Sequence, residues 1–341
     1  MFPYFSYRVT ALKFVPLHTF LRYDKIKEIL LMKNKITTYS ILILTFFLWG
    51  ISFVFTDIVF KSDGNITPFI LIAFRLIISI LFFLSIFAIT RKRIERIERK
   101  DYKLFLLLAL FEPFFYFIGE NYGVKYSSPS ISSVVTATIP VFVPFAVFFV
   151  HKESLKWYNI FGVCFSMIGV VVMTVFSKTE HQISEEGLGI GVAFLFFAVA
   201  SAVGYSVFLQ KVVQKYKPIT ITFYQNMIGL IYFIPMLLLF DMQNIPKISL
   251  TLQTISCIVI LGVFCSSIAF FLYGYSVKKI GVSRACIFNN LIPAFTILTA
   301  VALGREELTV AKIAGMIIVV SGVLITQLSA NNKLFIKTNG K

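Results

Sequence analysis

Tyr122-Gly123-Val124-Lys125 returns 153 residues later as Tyr275-Ser276-Val277-Lys278, and the register then holds without a gap while Tyr122–Val172 runs over Tyr275–Ile325. Within it Ile139-Pro140 meets Ile292-Pro293, Glu153 meets Glu306, Gly162 meets Gly315 and Gly169 meets Gly322. At the same shift Trp49–Phe55 falls on Ala202–Phe208, and only the connecting loop around Pro68 and Pro218 slips, by three residues. The chain is two copies of one unit, each with five apolar segments. Five is odd, so the second copy must enter a bilayer from the opposite face, the inverted repeat through which many carriers alternate their access.

Composition says the same. At 58% hydrophobic, 14% charged and a mean hydropathy of +0.86, the chain is too apolar for a soluble domain. Runs of about 20 apolar residues predict an all-α, polytopic membrane protein with ten transmembrane helices near 38–60, 67–90, 102–124, 128–150, 155–176, 187–211, 217–240, 251–277, 281–303 and 308–328. The domains follow: a cytoplasmic segment 1–37, repeats at 38–176 and 187–328, and a tail 329–341. The lipid bilayer is the first partner.

The net charge of +16 does not point to nucleic acid, because the basic residues are spread over loops between spans. With the N-terminus inside, 25 Lys/Arg collect on one face and 6 on the other, leaving Arg75 alone within a span. By the positive-inside rule both termini are cytoplasmic, in an inner or plasma membrane. An odd number of spans would scramble that alternation. Met32-Lys33-Asn34-Lys35 reads as a natural cytoplasmic start, so removal of residues 1–31 is expected to leave insertion and activity intact. Cys164, Cys257, Cys265 and Cys286 sit in apolar segments as packing residues, and His18, His151 and His181 share no ligand spacing. Neither a metal nor a cofactor is expected.

The residues in view resemble the drug/metabolite transporter superfamily, specifically its EamA-like members. The resemblance rests on Trp49-Gly50-Ile51-Ser52-Phe53, Arg75, Asn121 to Ser128, Ile139-Pro140-Val141-Phe142, Lys152-Glu153-Ser154-Leu155, Gly162 and Gly169. The second copy supplies Ile292-Pro293-Ala294-Phe295, Arg305-Glu306-Glu307-Leu308, Gly315 and Gly322. It covers residues 38–328 and implies a permease that moves small metabolites, amino acids and their derivatives included, outward through a central cavity. Ala202-Val203 replaces the Trp-Ala pair of many members, and Gln225 aligns with Arg75, so the two half-sites are chemically unequal.

An ionisable group inside a span is costly and therefore a functional candidate. Glu112, Tyr116 and Glu120 line one side of the third segment at i, i+4, i+8, and the repeat turns them into Cys265, Ala269 and Tyr273. Arg75 lies between the two carboxylates in depth. Paired with Arg75, Glu112 stays ionised; alone in an apolar wall, it can carry a proton. Glu120, about 6 Å from the helix end, reads as a solvated end-of-helix residue. Pro140 and Pro293 free the carbonyls of Thr136 and Asn289, which marks either a cavity lining that includes Asn290 or a packed kink. Pro113 makes the third helix irregular beside Glu112. Trp49 is a cavity wall or a packing residue. Glu153 and Glu306 suit helix N-termini. Gly162 with Gly169 and Gly315 with Gly322 favour close helix approach within the monomer or in a homodimer.

The substrate-binding candidates are therefore Trp49, Arg75, Glu112, Tyr116, Thr136, Pro140, Asn289, Asn290 and Pro293, with Glu112 also the candidate for coupling to protons. The small-molecule substrate would pass between the halves. A sugar-phosphate or nucleotide-sugar exchanger would want several intramembrane cations and has only Arg75. A non-transporting scaffold or sensor would want a soluble module, and a membrane enzyme would want clustered catalytic groups. No Gly-rich, lysine-bearing nucleotide loop is present.

Overall fold

A computed structural model of the chain describes residues 17–91, 93–151, 157–175, 185–305, 309–311, 313–322 and 325. The described residues from Leu17 to Ser40 are helical and belong to one unit; the bundle lies in the other, which begins at Ile41. Among the described residues there is no strand. Eight helices among the described residues are long and apolar enough to cross a membrane: α1 (Ile36–Phe60), α2 (Pro68–Thr90), α3 (Arg99–Tyr126) and α4 (Pro129–Val150), then α6 (Gly187–Lys215), α7 (Pro218–Asp241), α8 (Leu252–Ile280) and α9 (Val282–Ala302). The fifth and tenth expected spans occur where the repeat places them, as α5 (Trp157–Val175) and the shorter apolar helix α10 (Ile313–Gly322). Eight of the ten expected spans are thus met by length and composition. Glu153 and Glu306 lie outside the described residues.

The sequence starts these helices with local chemistry. Thr67 accepts a hydrogen bond from Ile70 N ahead of Pro68, and Ser128 accepts one from Ile131 N ahead of Pro129, each pairing a capping hydroxyl with a proline at the first turn. Between α8 and α9 the chain turns at Gly281, whose φ of 83° suits a residue without Cβ.

Close approach replaces the hydrophobic effect between helices in lipid. Gly119 and Gly123 lay α3 on α6; a Cβ at Gly119 would stand 2.5 Å from Phe194 O. A Cβ at Gly169 would stand 2.6 Å from Gly315 O. Gly169 of α5 and Gly315 of α10 therefore meet inside one chain.

Loops that the charge tally assigns to one face do meet. At one end, Lys215 Nζ lies 2.8 Å from Asp101 Oδ1, Tyr216 donates to Asp101 Oδ2 at 2.8 Å, and Thr220 donates to Glu95 Oε2 at 2.8 Å. Burial pushes the Tyr216 phenol up, so it remains a donor at neutral pH. At the opposite end Asp57 holds Lys61 at 2.9 Å and Arg305 at 3.3 Å, Thr67 donates to Asp241, and Ser249 N donates to Gly64 O at 3.2 Å. Both ends are tied across the two repeats.

Candidate functional site

The local break in α3 sets up the site. Glu112 has φ −144° and ψ 117°, extended values inside a helix, within a widened turn over Leu110–Phe115. Pro113 allows no regular helical bond there, and Gly229 of α7 supplies the space: a Cβ on that glycine would run into the Pro113 ring. The Glu112 side chain is thereby delivered to a cavity between the two repeats, as the irregularity expected at Pro113 required. Only 3% of Glu112 is exposed, and its Oε1 has no hydrogen-bond partner.

Arg75 is 1% exposed and does not pair with Glu112. Its Nη1 lies 3.5 Å from Glu120 Oε2, its Nε donates to Ser266 Oγ at 3.2 Å, and its guanidinium lies 4.3 Å from the centre of the Phe117 ring. Glu120 is therefore no solvated end-of-helix residue. It is 4% exposed and faces the cavity with Arg75. Behind Arg75, α8 widens over Leu261–Ile268, and the displaced carbonyls are claimed by side chains. Trp49 Nε1 donates to Cys265 O at 3.3 Å, Asn226 Nδ2 to Ser266 O at 3.0 Å and Ser267 Oγ to Gly262 O at 2.8 Å.

The cavity has a volume of ≈ 50 Å³, room for a few waters where each needs about 10–15 Å³. Trp49, Arg75, Glu112, Tyr116 and Asn289 line it, as do Glu120, Tyr205, Ser206, Phe270 and Tyr273. The ring of Trp49 packs on Phe270 at 5.0 Å and Tyr273 at 5.1 Å between centres, so it is both wall and packing residue. Repeat-related positions recur around the cavity: Trp49 with Ala202, Phe53 with Ser206, Phe117 with Phe270 and Glu120 with Tyr273. The ionisable carboxylates and the guanidinium all come from the first repeat; the second supplies rings, hydroxyls and an amide.

Thr136, Pro140, Asn290 and Pro293 stand behind the lining. The carbonyl freed by Pro140 finds its partner across the repeats: Asn289 Nδ2 donates to Thr136 O at 2.6 Å, a bond between positions 153 apart. The carbonyl freed by Pro293, Asn289 O, accepts from Ile292 N in the tight turn Cys286–Leu291. Both prolines thus shape helices at the joint, and Ile139 and Asn289 are what reach the cavity. Sequence reasoning missed Tyr205, Ser206, Phe270 and Tyr273, although the repeat itself offered the last two as partners of Phe117 and Glu120.

Residues 36–175 and 189–328 each match the EamA-like transporter family. An uncharacterized transporter of Archaeoglobus fulgidus is 28% identical over 84% of this chain and 97% of its own. The uncharacterized transporter YdfC of Bacillus subtilis is 29% identical over 79% and 86%, and YcxC of the same organism 26% over 86% and 94%. A solved crystal structure of a protein, 16% identical, superposes with a TM-score of 0.70 over 87% of this chain and 98% of that one, which establishes the fold alone. A matched family in each half, two fused repeats and a cavity at their joint agree: this chain is a membrane protein of the EamA-like transporter family.

Proposed function

We propose that the chain is a secondary transporter that carries a small metabolite, an amino acid or related compound, outward across the inner or plasma membrane by alternating access. Both termini face the cytoplasm, and the two repeats are inverted. The observation that carries this reading is the cavity at the joint, where Arg75, Glu112 and Glu120 meet under ties at both ends. Buried charge of this kind is retained in a membrane for a substrate or ion path. At ≈ 50 Å³ the cavity has room for a few waters, and alternating access would widen it toward one side at a time to load and release a solute. Glu112, held by no cation, is the group on which a proton would travel. A phosphate-bearing substrate fits poorly, because Arg75 is the only Lys or Arg among the described lining residues.

The test is efflux from proteoliposomes preloaded with amino acids and their derivatives, followed by mass spectrometry, with a pH gradient imposed in each direction. Release of a defined solute that responds to the gradient in the native chain, and not in Glu112→Gln, is the expected result. Release indifferent to both removes the proton from the reading; release no greater than from empty liposomes removes transport.

A further inference from the structure

Were Arg75, Glu112 and Glu120 of the cavity all charged, one negative charge would be in excess, and the positive one is already committed. Arg75 faces Glu120 at 3.5 Å, Ser266 at 3.2 Å and the Phe117 ring at 4.3 Å. Glu112 is different. It is 97% buried, its Oε1 accepts no hydrogen bond, and no Lys or Arg lies within ion-pair distance of it among the described residues. Tyr116, Tyr205 and Tyr273 share the cavity with it.

A solute entering here meets unequal halves of the acid–base pair. Its carboxylate would find only Arg75, which must first leave Glu120, and would stand near two carboxylates, where like charges repel. Its ammonium would find one carboxylate without a partner and ring faces able to receive a cation. Burying a charge is tolerable only when it is paired, and Glu112 can be paired by a cation or relieved by a proton.

We propose that the cavity selects its solute by a cationic nitrogen: an ammonium group pairs with Glu112 between aromatic walls, so that amines and carboxyl-blocked amino-acid derivatives are preferred over free amino acids with the same side chain. The inference rests on the reading of this cavity as the transport site and narrows its substrate class.

Trp49 is the reporter. The chain has two tryptophans, and Trp157 is 77% exposed, so Trp157→Phe leaves the cavity wall as the fluorescent group. Four probes with one ring and different charge are titrated in detergent: phenethylamine, 2-phenylethanol, 3-phenylpropionate and L-phenylalanine. Phenethylamine is expected to quench Trp49 saturably, at a concentration at least tenfold below each of the other three. In Glu112→Gln the preference over 2-phenylethanol is expected to vanish, and in Glu112→Asp to survive in part. An acid, alcohol or amino acid that binds as well as the amine overturns the proposal, as does an unchanged preference in Glu112→Gln or no saturable quenching by the amine. The native cavity alone decides the first of these, whether or not the variants fold. Efflux of the same four probes separates the two readings. Export of L-phenylalanine with the amine ignored removes the cation preference and keeps transport, whereas Glu112-dependent amine binding without flux of any probe keeps the preference and removes transport.

Discussion

Arg75 and Glu120 form a buried ion pair, in which Arg75 also holds Ser266 and the Phe117 ring. Removal of one partner strands the other, at a cost of about 3–5 kcal/mol for a buried pair. Arg75→Met is therefore expected to lower the unfolding midpoint in mixed micelles strongly, and Arg75→Met with Glu120→Gln to recover much of the loss; simple additivity would show that the pair is not coupled. Glu112→Gln should behave in the opposite way. With no partner to lose, it should leave the midpoint unchanged or raise it, as measured by the same unfolding. Arg75 and Glu112 were legible in the sequence because an ionisable group in an apolar run stands out whatever surrounds it. Glu120 was not, since depth along a helix says how far a residue lies from the end and nothing about the neighbour that covers it. Its partner Arg75 comes from α2, and helix-to-helix contact is invisible to a linear count.

The helices were legible because apolar length and capping residues are local properties, and the eight long spans fall within a few residues of their expected limits. What each proline does to its helix was also local; which group answers the freed carbonyl was not. Asn289 answers Thr136 across the joint, so Asn289→Ala should cost about 1–3 kcal/mol for an unpaired buried carbonyl, with Asn289→Gln falling between the two in thermal unfolding. Glycines offer a matched contrast at this scale. Gly169→Leu must push Gly315 and Val319 aside and should lose about 1–3 kcal/mol through overpacking. A Cβ at Gly189 meets nothing within 4 Å, so Gly189→Ala should be neutral or gain up to about 1 kcal/mol from helix propensity. Equal effects at the two sites in thermal unfolding would contradict the packing described here.

Across the whole molecule, the repeat predicted which loops share a face, and the ties at the two ends bear out that grouping. Asp101 with Lys215 and Tyr216 closes one end; Asp57 with Arg305, and Thr67 with Asp241, close the other. Cys286 lines the cavity between them and gives a native handle for a test. In a chain with Cys164, Cys257 and Cys265 replaced by serine or alanine, a membrane-impermeant thiol reagent should label Cys286 faster in Asp101→Asn, and only from the side of that end. Asp57→Asn should quicken labelling only from the opposite side. Labelling that rises from both sides in either variant would mean that the ties stabilise the bundle without gating it. The placement of charge in one repeat carries a last consequence, for ancestry. Two first repeats joined as a pair would bring four carboxylates and two guanidiniums to one axis, and two second repeats would bring none. Neither half, duplicated, would rebuild the unequal charge of this cavity, so the two halves are no longer interchangeable.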